Sequence, residues 1–273
     1  MKPLQGQTAL VTGASRGIGK GAALELAAAG AHVFVTARSV QEGAGPLPGT
    51  IGQTVAEIEA EGGSALAVAC DLSDDAQVAA LFERVDAESG RLDVLVNSAF
   101  VDPGIVAGKK IWESPVGWYD ELNDVGTRGV YVASRLAAMR MVPAERGLIA
   151  NVSSLGAEYY YQHVAYGMGK AAVDKLTRDI GREFRKTGVS IVSIWPYMVR
   201  TEAVQALLDK GIDLPMDGAE TQRFVGRGVA VLAADAERVE KNGKIFTSRQ
   251  LADLYGFRDS DGELPTGSTE PRR

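Results

Sequence analysis

The order in which short apolar runs and helix-forming segments alternate constrains this chain more than any other feature. Thr8-Ala-Leu-Val-Thr12 reads as a buried strand. A glycine-rich turn, Gly13 to Gly19, follows it and opens an alanine- and leucine-rich helix, Lys20 to Ala29, which Gly30 ends. Strand-like runs recur at 32–36, 65–69, 92–96, 148–152, 189–195 and 244–247. Helical patterns fall at 51–61 and at 74–87, the second with Val78, Leu81, Phe82 and Val85 on one stripe. A long helix runs to Met141 and another covers 166–186, while 41–50 reads as a loop and 99–115 as irregular. Strands separated by helices predict an α/β fold, a doubly wound parallel sheet of about seven strands with helices on both faces. No repeat and no linker marks a second unit. A single domain over 1–250 is therefore expected, with 251–273 as a polar C-terminal extension.

Two stretches carry chemistry. The turn Thr12-Gly-Ala-Ser-Arg-Gly-Ile-Gly19 has the spacing G-x-x-x-G-x-G, which is not the G-x-G-x-x-G fingerprint. Its glycines let backbone approach a pyrophosphate, and the following helix offers free N–H groups and a positive dipole end. Placed after the first strand of an alternating chain, the turn reads as a phosphate site rather than as tight packing alone. The second stretch is Tyr166-Gly-Met-Gly-Lys170, where tyrosine and lysine stand one turn apart on one helix face. A free phenol titrates near pH ~10. A neighbouring ammonium, helped by a cationic cofactor ring, favours phenolate and suits the group to acid–base work. Asn151-Val-Ser-Ser154 supplies a serine able to hydrogen-bond the same substrate oxygen. Taken alone, Tyr-x-x-x-Lys is a weak pattern, and an exposed tyrosine above a lysine on a solvated helix is the better reading of it.

Composition removes several alternatives. The 273 residues, 45% of them hydrophobic, fill a full core, and no run is long enough to span a membrane. One cysteine, Cys70, excludes an internal disulfide and a cysteine-rich zinc site, and two histidines, His32 and His163, exclude a histidine metal cluster. No metal is expected. A net charge of −6 argues against nucleic acid or an anionic membrane as partner. Met1-Lys-Pro leads almost at once into a strand, so a cleavable signal is not expected and a soluble, cytoplasmic protein is.

Together, Thr12-Gly13-x-x-x-Gly17-x-Gly19, Asp71, Asn97-Ser-Ala99, Ser154 and Tyr166-x-x-x-Lys170 resemble the short-chain dehydrogenase/reductases over about residues 4–250. Leu47-Pro-Gly-Thr-Ile51, the run Val125 to Gly129 and the ending Leu254 to Gly262 are similar to the dehydrogenase/reductase SDR family member 1 subgroup. The resemblance implies a Rossmann-type subunit moving hydride between a nicotinamide and a carbonyl or alcohol carbon. It gives Tyr166 the general acid/base role. Lys170 holds the ribose and lowers the tyrosine pKa, and Ser154, rather than its neighbour Ser153, orients the substrate oxygen. It assigns the cofactor to Gly13, Ser15, Arg16, Gly17, Ile18 and Gly19. Further cofactor positions are Arg38, Asp71, Leu72, Asn97, Val199 and Thr201, with Tyr166 and Lys170. Asp71 also fits an ordinary helix N-cap. A homodimer or homotetramer built on the segments around 119–141 and 166–184 is implied as well.

Two departures from the family pattern stand out. Gly126 occupies the position where most members carry an asparagine that holds a relay water, and Asn123 reads as a surface or helix residue rather than a substitute. The usual Pro-Gly after the sixth strand is Pro196-Tyr197. The second strand ends Thr36-Ala-Arg-Ser39, with Arg38 where an NAD site places an acid, and Arg16 lies in the glycine turn. These favour NADP(H), with NAD(H) possible. Phe100, Trp112, Tyr159, Tyr160, Tyr161, Tyr197 and Met198 are expected around a pocket for a flat or bulky apolar carbonyl compound, such as a steroid or aromatic ketone. Lid packing or a subunit contact accounts for several of them equally well. The alternative to an oxidoreductase is a non-catalytic dinucleotide-binding sensor or scaffold.

Overall fold

The computed structural model describes residues 1–43, 46–101 and 109–266. Its strands are β1 (Thr8–Thr12), β2 (His32–Ala37), β3 (Ser64–Ala69), β4 (Val94–Asn97), β5 (Gly147–Val152), β6 (Val189–Trp195) and β7 (Ile245–Thr247). They form one parallel sheet in the order β3-β2-β1-β4-β5-β6-β7. Every residue of β1, β4 and β6 is buried, as strands covered on both faces require. Alternation along β1 divides the core: Val11 belongs to one apolar cluster and Leu10 to the other. The chain reverses its direction of travel between β1 and β4, which pair with Thr12 opposite Asn97. In open α/β sheets that reversal creates the ligand crevice, outside the C-terminal strand ends.

Helix α1 (Gly17–Ala28) starts inside the glycine turn, three residues before the expected Lys20. Helices α2 (Ile51–Ala60) and α3 (Asp75–Ser89) fall where the periodicity places them. The expected single helix ending at Met141 is divided. It consists of α4 (Gly117–Asn123), one wide π-turn (Asp124–Gly129) and α5 (Val130–Met141). Helix α6 (Val164–Glu183) begins at His163, whose Nδ1 accepts from Ala165 N–H at 3.1 Å.

Three helices have no counterpart in the sequence reading: α7 (Glu202–Asp209), α8 (Gln222–Ala234) and α9 (Ser248–Tyr255). The glycines of α8 explain why it escapes a propensity argument, since each weakens an isolated helix by roughly 1 kcal/mol. Packing supplies what propensity lacks. A Cβ on Gly21 of α1 would lie 1.8 Å from Gln222 O, and one on Gly226 would lie 2.7 Å from Ala22 Cα. The two helices therefore touch backbone to backbone.

The expected boundary at residue 250 falls within α9, where Leu251 and Ala252 are core residues. Phe257 then stacks edge-on to Phe224 with centroids 5.3 Å apart, and buried Asp259 accepts from Thr221 N–H at 2.7 Å. Residues 267–273 lie outside the described part.

Candidate active site

A cavity of about 470 Å³ opens at the reversal point and runs from the glycine turn to α6. Its floor is set by close backbone approach. Thr12 Oγ1 donates to Val96 O at 3.3 Å and accepts from Ser98 N–H at 3.1 Å, locking the turn after β1 to the turn after β4. A Cβ on Gly13, whose φ is +68°, would meet Ala99 Cα at 2.6 Å, so the position tolerates only glycine.

At one end of the cavity Tyr166 donates its hydroxyl proton to Ser154 Oγ at 2.9 Å. Ser154 also accepts from Gly156 N–H at 3.0 Å, so its hydroxyl is oriented by backbone. The neighbouring Ser153 also lines the cavity, and its hydroxyl donates to Lys170 O at 3.4 Å. Lys170 Nζ donates to Val152 O at 3.0 Å, and it lies 5.5 Å from the Phe100 ring centre and 5.7 Å from that of Tyr166. Phe100 and Tyr161 flank the Tyr166 ring at 5.6 and 6.2 Å. Burial pushes the Tyr166 phenol up to about 12, with the Ser154 contact working the other way. Burial likewise pulls the Lys170 ammonium down to about 8, opposed by Asp174. Desolvation thus outweighs the Ser154 hydrogen bond at the phenol.

The other end is cationic. Arg16 Nε donates to Pro48 O at 2.8 Å and its Nη2 to Ser39 Oγ at 3.0 Å and Gly49 O at 2.9 Å. Burial lowers its pKa, Glu202 opposes this and nearby Arg38 adds to it. Arg38 approaches Asp71 at 3.7 Å. Burial raises the Asp71 carboxyl, but hydrogen bonds from Ser73 and the Arg38 charge outweigh it and leave its pKa below the ordinary value. Asp74, not Asp71, caps α3, accepting from Ala76 and Gln77 N–H.

Most residues singled out from sequence reach the cavity wall: the glycine turn with Ser15, Arg16 and Ile18, then Arg38, Asp71 and Leu72, and Val199 and Thr201 beyond β6. The Asn97 side chain does not. It is buried and donates to Asn151 Oδ1 at 2.8 Å and Ser134 Oγ at 3.1 Å, tying β4 to β5 and α5. Asn123 is the last residue of α4, a helix residue as one of the two expectations had it, but it is buried rather than at the surface; its amide donates to Tyr119 O and, at 3.4 Å, to Ala165 O of α6. Thr127 donates to Asn123 Oδ1 at 2.8 Å, so the π-turn is fastened against the helix carrying Tyr166. At Gly126 an added Cβ would meet nothing within 4 Å. Of the expected aromatic lining, Phe100, Tyr161, Tyr197 and Met198 face the cavity, whereas Trp112, Tyr159 and Tyr160 do not. Trp112 and Tyr160 point outward, at 79% and 71% exposure.

Sequence reasoning missed several cavity residues: Leu155 and Gln162 in the loop before α6, and Glu202 and Leu207 on α7. Glu202 directly follows the expected Thr201, but nothing in its spacing says that it reaches the glycine turn. Gln162 adopts φ +59°, a left-handed conformation that non-glycine residues rarely take.

A sheet of this order, a glycine turn at its reversal point and a Ser–Tyr–Lys set on one cavity define a dinucleotide-dependent oxidoreductase class. The short chain dehydrogenase family model matches residues 7–211, and the chain belongs to that family. It is 42% identical to dehydrogenase/reductase SDR family member 1 of Mus musculus, covering 95% of this chain and 85% of that protein. Identity to the Homo sapiens protein of the same name is also 42%, with the same coverage. Among solved structures, a metagenomic short-chain oxidoreductase in complex with NADP superimposes with a TM-score of 0.71. It is 33% identical and covers 86% of this chain and 94% of that one.

Proposed function

We propose that this protein interconverts a carbonyl and an alcohol on a bulky, apolar substrate, with NADP(H) as the preferred cofactor. The observation that carries the reading is the 2.9 Å hydrogen bond between Tyr166 and Ser154, with half-buried Lys170 one turn away on the wall that also holds the glycine turn.

The residues present fit a dinucleotide. Gly17 to Gly19 present the first N–H groups of α1, and a Cβ on Gly19 would strike Gly13 O at 2.3 Å, so the turn keeps its tight path. Arg16 and Arg38 supply positive charge beside Asp71, where an adenosine 2′-phosphate would be held, as the NADP bound to the metagenomic relative supports. A bound nicotinamide supplies or accepts the hydride. Ser154 holds the substrate oxygen beside Tyr166, which gives its proton to that oxygen in reduction and takes it back in oxidation. Lys170, held by Val152 O, would hold a ribose hydroxyl of the cofactor, and it keeps positive charge near the phenol. A neighbouring positive charge favours the phenolate and would offset the desolvation that raises Tyr166. Phe100, Tyr161, Tyr197 and Met198 exclude water and favour a flat or bulky apolar body.

The test is a panel of steroid and aromatic carbonyl compounds, and the matching alcohols, assayed with NADPH, NADP, NADH and NAD. Turnover faster with the phosphorylated pair supports the reading. Cofactor binding with no turnover on any compound in either direction points instead to a dinucleotide sensor.

A further inference from the structure

Helix α7 forms one wall of the cavity through Ala203, Val204 and Leu207, yet none of its residues is buried. One contact ties its start to the opposite side of the site. Gly17, the first residue of α1, donates its backbone N–H to Glu202 Oε2 at 2.9 Å, across 185 positions of sequence. The two helix starts also touch at Thr201, whose Cγ2 would lie 3.4 Å from a Cβ on Gly17. An acidic residue in the first turn ordinarily interacts with its own helix dipole. Here the carboxylate reaches to the head of another helix, where an anion is best held and where the glycine turn has been read as the pyrophosphate seat.

We infer that Glu202 is a latch on the dinucleotide site: its carboxylate takes the place of a cofactor phosphate at the head of α1. Binding of the pyrophosphate displaces it and releases α7. This rests on the cofactor reading above. The two anions cannot share one seat, because Glu202 and a pyrophosphate repel at contact distance and compete for the same N–H. Arg16 does little to relieve the clash, since its guanidinium is held by Pro48 O, Leu47 O, Gly49 O and Ser39 Oγ. The latch also links the two halves of the site, because the helix it restrains is the one facing the substrate through Leu207.

The test is fluorescence titration of NADPH into the whole protein and into Glu202→Gln, with adenosine 2′-monophosphate, which has no pyrophosphate, as a second probe. Glu202 sits on a helix without buried residues, so the variant folds. The expected result is about tenfold tighter NADPH binding by the variant, equivalent to ~1.4 kcal/mol. The affinity of the monophosphate should not change. Hydrogen exchange over 202–209 in the ligand-free protein should be faster in the variant. Equal NADPH affinity in the two proteins, or an equal gain for the monophosphate, overturns the latch. Failure of both proteins to bind any nicotinamide dinucleotide overturns the cofactor reading itself and takes the latch with it.

Discussion

Glu220 accepts from Tyr197 N–H at 2.9 Å and from Ser248 through Oε1, while its buried Oε2 has no partner among the described residues. Burial raises its pKa to about 7, the Ser248 and Tyr197 contacts pull it down, and Asp259 adds to the rise. The folded state therefore binds a proton that the unfolded chain releases near the ordinary glutamate value of about 4.5. Stability from this group is complete below that value and is lost as pH rises through about 7. Melting temperatures compared at about pH 5 and about pH 8 should show a fall in the parent protein that Glu220→Gln largely removes. An identical fall in both would show that another group carries it. Single residues differ sharply in how far sequence announced them. Tyr166, Lys170 and Ser154 were legible because helix spacing and a strand end determine where they meet. Asn97, Asn123 and Glu202 were not, because a side chain's direction depends on partners far away in the chain: Asn151, Ala165 and Gly17.

Among the elements, strands were more legible than helices. Continuous apolar runs mark buried strands whatever lies beside them. Helix α8 is held by contact with α1 rather than by its own composition, and the π-turn at Asp124–Gly129 leaves no periodic signal in so short a stretch. The glycine contact between α1 and α8 makes a direct prediction. Gly21→Ala places a methyl group 1.8 Å from Gln222 O and forces the helices apart. Chemical denaturation should show a loss of about 1–3 kcal/mol or more, the usual cost of overpacking. A change within about 0.5 kcal/mol would mean that this close contact does not hold the two helices.

For the molecule as a whole, sequence order alone gave the layered α/β fold, because alternating strands and helices leave few ways to build one sheet. The depth of the cavity, the helix α7 along its wall and the integration of residues 251–259 emerged only from packing. No helix among the described residues is long and apolar enough to cross a membrane. Tyr131 and Met139 of α5 and Met168 of α6 are each more than half exposed, and we propose that these helices join copies of the chain into a dimer or tetramer. Light scattering at micromolar concentration should return a multiple of 28.8 kDa, and the mass of a single chain would contradict that assembly. The central claim, that Tyr166 is the proton donor and acceptor of an oxidoreductase, is tested most directly by Tyr166→Phe, assayed for NADPH affinity and turnover together. Affinity should stay within a few-fold of the parent while turnover falls by about a hundredfold or more, the usual contribution of a general acid. Turnover close to that of the parent protein would contradict it.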